Sequence, residues 1–210
     1  MTPEQTRNEK LAQCLIKTLT AHGFEAYYCA DGITAKERIL SLIAKDDVVS
    51  WGGCATMEQI GVIDEVRKTH ACIDRDTAKT PEERQTLMRN ALLCDTFLSG
   101  TNAITQNGEL YNIDGNGNRV AALIYGPKSV IIACGMNKVV PNAQAAYERA
   151  RNVAAPINAQ RFNLSTPCLK TGECADCGAA DSICNVFVRT KRCKPQGRIK
   201  VVLIGEALGF

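Results

Sequence analysis

The 210-residue sequence has no apolar run approaching the roughly 18 residues of a membrane span, and its first residues, MTPEQTRNEK, are polar and mixed in charge, with no secretory apolar core. A soluble, cytoplasmic protein is expected. It carries 11 cysteines, an odd number that in a reducing cytosol does not read as a disulfide framework. There are only two histidines, His22 and His70, and neither lies near the clustered cysteines. Neither a P-loop nor a dinucleotide fingerprint is present, nor any catalytic triad or metal-hydrolase motif, so no residue is named as a general base. The one basic run, RTKRCKPQGR, lacks interleaved aromatics, which argues against nucleic acid. The formal net charge of +3 is too small to demand an acidic partner.

What the chain does have is a four-cysteine constellation, Cys168, Cys174, Cys177 and Cys184, in CLKTGECADCGAADSIC. The spacing C-x5-C-x2-C-x6-C, with Gly172 and Gly178 allowing tight turns, brings four soft thiolates toward one centre. A [4Fe–4S] cluster is the first reading; an all-cysteine zinc site is the alternative. Cys193 is a spare thiol. Arg189, Lys191, Arg192, Lys194 and Arg198 follow closely, and cations beside an anionic cluster would stabilise it and raise its potential. The other cysteines, Cys14, Cys29, Cys54, Cys72, Cys94 and Cys134, sit among apolar neighbours and read as small buried hydrophobes.

With 45% hydrophobic residues the chain is large enough for one well-buried core. Residues 4–22 have helical spacing and end at Gly23; Phe24 to Cys29 reads as a strand. Asp31 reads as the N-cap of the next helix, and Val48 and Val49 begin another strand, completing a βαβ pattern. Thr80, Pro81 and Glu83 take the N-cap, N1 and N3 places of a further helix. CDTFLSG, RVAALIYG, KSVIIACG and RIKVVLIGE read as strands, PNAQAAYERARNVAA as a helix, and GELYNIDGNGNRVAALIYG as a local antiparallel hairpin. The expected fold is a single layered α/β/α domain over residues 1–210 with a mostly parallel sheet. Residues 165–195 form a cysteine-rich, metal-binding insertion before the last strand, packed on the domain.

Two segments point to a ligand. In SWGGCATMEQIG, Gly52 and Gly53 let the backbone approach a ligand and Thr56 begins a helix whose amides favour an anion. In the Gly/Asn-rich block that follows, Asn102, Asn112, Asn118, Arg119, Lys128, Asn137 and Lys138 stand near strand ends, where open α/β sheets bind ligands. Asp114, Asn116 and Asn118 open like a calcium loop, but position 12 is Tyr125 where glutamate is required. Glu58 and Glu109 are the acids available as base or nucleophile.

Read together, SWGGCATMEQIG, GTNAITQNGELYNIDGNGNRVAALIYGPKSVIIACGMNKVV and RIKVVLIGEALGF resemble the lactate-utilization (LUD) domain family over nearly the whole chain. The resemblance implies a sugar-phosphate isomerase and CoA-transferase type of α/β fold, a pocket for a small anionic metabolite or nucleotide-like group, and a role in oxidising L-lactate to pyruvate with redox partner subunits. A non-redox enzyme or binder of an anionic metabolite, CoA or a nucleotide, with structural zinc, is the alternative. Cys54 stands where many relatives have serine, and the four-cysteine segment is not general to the family.

Overall fold

The computed structural model describes residues 1–210. Helix α1 (Pro3–Ala21) opens on a reciprocal capping box between Thr2 and Gln5 and buries Ala12, Leu15 and Leu19 along one stripe. It stops at Gly23, whose φ of +84° is a left-handed conformation open to glycine. Strand β1 (Glu25–Cys29) follows, then α2 (Gly32–Ser41), capped by Asp31, and β2 (Val48–Trp51). Two short helices, α3 (Ala55–Gln59) and α4 (Val62–Thr69), lead to β3 (Ala71–Ile73). Helix α5 (Pro81–Asn90) starts with Thr80 accepting from the Glu83 amide, and β4 (Thr96–Gly100) runs fully buried. Then come β5 (Ala103–Thr105), β6 (Leu110–Asp114), α6 (Asn118–Ile124), β7 (Ser129–Gly135) and β8 (Val139–Val140). Helix α7 (Ala143–Arg149) passes through a π turn (Ala150–Ala154) into α8 (Ala155–Ala159); α9 (Pro167–Thr171), β9 (Val186–Thr190) and β10 (Ile199–Ile204) complete the chain.

The main sheet is six-stranded in the order β1-β10-β7-β4-β2-β3, and every neighbouring pair is parallel. It separates two cores. Ala35, Ile39, Met57, Val62 and Val66 of α2–α4 pack one face, against Val49, Leu98, Ile131 and Val202. Leu15 and Leu19 of α1 and Val120 and Leu123 of α6 pack the other, against Phe97, Ile132 and Leu203. Each of these side chains larger than alanine contributes about 1.5–3 kcal/mol by leaving water. Because the chain leaves β2 toward one face and β4 toward the other, the carboxyl ends of these adjacent strands flank a topological switch point. No helix is long and apolar enough to cross a membrane.

A second sheet, β8-β5-β6-β9, stands beside the first. Its antiparallel hairpin is β5–β6, one segment earlier than the sequence suggests. RVAALIYG is helix, not strand: Arg119, Val120, Ala122 and Leu123 are buried at helical spacing, a pattern that a short apolar run does not distinguish from a strand. Two contacts fix the choice. Asp114 Oδ2 accepts from the Val120 amide at 3.0 Å, and Arg198 caps the far end by donating to the carbonyls of Ala122 and Leu123. VFVRT, expected within the cysteine-rich insertion, is strand β9 and pairs antiparallel with β6. The expected βαβ unit also differs, since β10, β7 and β4 lie between β1 and β2. Among the scattered cysteines, Cys14 is exposed on α1, off its buried stripe.

Candidate functional site

Beyond β2, Gly52 still pairs with β4 through its amide, 3.0 Å from Leu98 O. A Cβ on Gly52 would stand 2.7 Å from both Cγ and Cδ of Arg119, so glycine is what lets this side chain lie flat on the strand end. Arg119 is only 9% exposed. Its Nη1 donates to Gly100 O at 3.3 Å and Asn112 Oδ1 at 2.7 Å; its Nη2 donates to Asn102 Oδ1 at 3.3 Å and Ile113 O at 2.9 Å. All four acceptors are neutral. Burial pushes the guanidinium pKa down, while the charges of Asp114 and Cys54 pull it up.

Lys138 repeats the arrangement. It is 4% exposed and Nζ donates to Thr56 Oγ1 at 3.0 Å, with no carboxylate paired to it; burial again lowers its pKa. A third cation, Arg75, is half-buried, and its Nε is buried without a hydrogen-bond partner. Asp76 lies 3.8 Å from that nitrogen, a charge contact too long for a hydrogen bond. Burial of cations against neutral acceptors is costly unless an anion completes them. The cleft they share, about 650 Å³, is therefore chemically suited to an anionic ligand.

Gly52, Gly53, Asn102, Asn118, Arg119 and Lys138 line this cleft. Thr56 is buried behind Lys138, and Asn112 supports Arg119 from below, leaving its own Nδ2 without a partner. Asn137 instead holds the C-terminal segment, accepting from the Leu208 amide at 3.2 Å. Lys128 is exposed and pairs with Asp95 at 2.7 Å. It precedes β7, whereas the cleft lies past the strands' carboxyl ends, about 20 Å away at 3.3 Å per residue. Glu58 lines the cleft and lies 3.4 Å from Arg161. Glu109 is buried elsewhere, clamped by Arg189 at 2.7 and 3.0 Å. Arg75, Arg84, Arg161 and Thr101 also line the cleft; no motif marks the three arginines in the sequence, whereas Thr101 stands in the Gly/Asn-rich block beside Asn102. A depression of similar size, about 680 Å³ between α5 and α6, is lined by Glu82 and Arg89 and by no buried charge.

The cysteine segment forms part of the cleft wall. Ala180, Asp181, Ser182, Ile183 and Asn185 line it, between and beside Cys177 and Cys184. Asn185 donates through its amide to Asp114 O at 3.0 Å and through Nδ2 to Gly115 O at 3.1 Å. Asp181 receives the Ser165 amide and hydroxyl, which hold its carboxyl below its usual pKa. The Cys184 thiol is pushed up to about 11, first by burial and then by the charges of Cys174, Cys168 and Cys177. No three His, Cys, Asp or Glu side chains converge closely enough to hold one metal ion. A zinc ion would need thiolates about 3.8 Å apart, from its 2.3 Å bonds and tetrahedral geometry; a four-iron cluster spans its thiolates more widely. Four thiols are the donor chemistry of either centre.

Cys193 and the basic run fall outside that group. Cys193 is buried in the core, bonded to Ile199 N and Pro195 O. Of the basic run, Arg189 is committed to Glu109 and Arg198 to α6. A cation outside the run, Arg151, bonds one of the four thiols, Nη2 donating to Cys174 Sγ at 3.3 Å.

The chain is a three-layer α/β domain with a cation-lined cleft at the switch point of a parallel sheet, the place where open α/β sheets that bind ligands hold them. The LUD domain matches residues 12–204, and the chain belongs to that lactate-utilization family. A DUF162 family protein from Deinococcus radiodurans has the same fold, with a TM-score of 0.55 at 11% identity over 94% of this chain and 98% of that one. Ribose 5-phosphate isomerase from Plasmodium falciparum matches 53% of this chain and 53% of its own, with TM-score 0.35 and 18% identity. The eIF2B beta subunit from Chaetomium thermophilum matches 54% of this chain and 44% of its own, with TM-score 0.37 and 17% identity. No curated protein matches the sequence.

Proposed function

We propose that this LUD protein is a redox or accessory subunit in the oxidation of L-lactate to pyruvate. The cleft holds a small carboxylate, or the anionic electron acceptor, and Cys168, Cys174, Cys177 and Cys184 hold a [4Fe–4S] cluster. Such a cluster supplies one-electron transfer. Lactate gives up two electrons and two protons, so the reading requires a partner subunit that accepts a pair of electrons. The observation that carries the proposal is the shared wall: residues 180–183 and 185 line the cation-rich cleft and belong to the segment bearing Cys177 and Cys184. Arg119 and Lys138 supply positive charge for a carboxylate, and Gly52 and Gly53 its close approach to the backbone.

Anaerobic purification with iron, acid-labile sulfide and zinc analysis tests it, together with calorimetric titration of L-lactate and pyruvate. Iron with matching sulfide and saturable binding of either acid are expected. A colourless protein with stoichiometric zinc would sink the redox reading. One observation favours a second reading: about 650 Å³ is far more than a six-heavy-atom acid fills. A CoA- or nucleotide-binding protein with structural zinc would use that space, and would show strong thermal stabilisation by those ligands independent of metal.

A further inference from the structure

Arg151 lies in the π turn that joins α7 to α8. The wide turn falls just before Pro156, which has no N–H to return to the carbonyl of Asn152. The guanidinium is held on three sides. Nη1 donates to the Tyr147 hydroxyl at 2.9 Å, and the Tyr147 ring lies 5.4 Å from the guanidinium carbon. Nη2 donates to Cys174 Sγ at 3.3 Å and lies 2.7 Å from Asp176 Oδ1. Asp176 is the sole non-glycine residue with a positive φ, +50°, and sits inside the C-x2-C turn. Arg151 therefore grips both a thiol of the group and the strained residue between two of them. Its side chain is 18% exposed, whereas that of Asp176 is 84% exposed.

We infer that Arg151 tunes and positions the thiolate site: its N–H···S bond and charge favour the more anionic, reduced state of a cluster held by Cys168, Cys174, Cys177 and Cys184. This rests on the cluster reading given above. A charged hydrogen bond to a thiolate and a nearby cation both raise the potential of such a centre. Arginine, unlike lysine, reaches the sulfur, the carboxylate and the tyrosine at once through its planar fork.

The test is an EPR-monitored titration with dithionite as the one-electron reductant, on anaerobically prepared full-length protein. Arg151→Gln should weaken the preference for the reduced state about tenfold, a 59 mV fall for one electron. Arg151→Lys should fall less. Arg189→Gln removes equal charge from a residue bonded to Glu109 and should leave the potential unchanged. An unchanged potential in Arg151→Gln with iron and sulfide intact overturns the role of Arg151 alone. An equal fall in Arg151→Gln and Arg189→Gln also overturns it, since net charge would then suffice. Zinc without sulfide in the unaltered protein overturns the cluster reading instead. If Arg151→Gln loses the cluster, Arg151→Lys carries the comparison: a potential equal to that of the unaltered protein refutes the inference.

Discussion

Gly52→Ala adds one methyl group where the structure leaves no room for it. The new carbon would meet Cγ and Cδ of Arg119 at 2.7 Å and its Cβ at 3.4 Å, against a relaxed carbon–carbon separation of about 3.5–4.0 Å. Arg119 must then retreat by roughly 1 Å, the difference between those separations. Its bonds to Gly100 O and Asn102 Oδ1 are already 3.3 Å long and would break first. Overpacking costs about 1–3 kcal/mol, and each charged hydrogen bond lost adds about 1.5–3 kcal/mol. Overpacking with both bonds lost totals about 4–9 kcal/mol, which at roughly 2–4 °C per kcal/mol for a chain of this size lowers Tm by about 8 °C or more.

Urea unfolding with calorimetric titration of pyruvate reads both consequences, and binding should be lost with stability. Gly53→Ala is the neighbouring control: its Cβ meets only Arg75 Nη2 at 3.4 Å, the far end of a flexible side chain, and should cost under about 1 kcal/mol. In an Arg119→Ala background the Gly52→Ala penalty should largely vanish, as a double-mutant cycle would show. A Gly52→Ala protein within about 0.5 kcal/mol of the original, with binding intact, would refute the packing of Arg119 on Gly52.

Arg198→Ala uncaps α6 by removing donors to Ala122, Leu123 and Pro127 carbonyls, and should cost about 2–4 kcal/mol in denaturant unfolding. Asp181 has its folded pKa below the ordinary 3.8 because Ser165 donates to it. Its stabilisation is therefore present above the unfolded value and lost as pH falls through the lower folded value, so Asp181→Asn should flatten the stability–pH curve below pH 3.8. Glu109→Gln breaks the fork with Arg189 and should destabilise by about 1–3 kcal/mol, leaving carboxylate binding unchanged; loss of binding at unchanged stability would restore Glu109 as a site acid.

The buried strands β4, β7 and β10 are legible because their continuous apolar runs admit no amphipathic helix. Helix α6 is not, since VAALI is short enough to satisfy either period and its fate is decided by Asp114 and Arg198, 6 and 78 residues from Val120. Strand β9 escapes notice because its pairing with β6 is long-range and its alternation covers five residues. At the site, Arg119 and Lys138 stand out as cations beside strand ends in a glycine-rich block. Arg75, Arg84 and Arg161 come from separate loops and helices and acquire a common role only when the chain folds. Lys128 misleads because a residue before a parallel strand and one after it lie at opposite edges of the sheet.

If the cleft and the thiolate group act as one site, filling the first must be felt by the second through residues 180–185. The direct measurement is the EPR spectrum of the dithionite-reduced protein with and without saturating pyruvate. A ligand-induced change in g values is predicted in the unaltered protein and its absence in Arg119→Lys. An identical spectrum with pyruvate bound, shown by calorimetry on the same sample, would contradict the account.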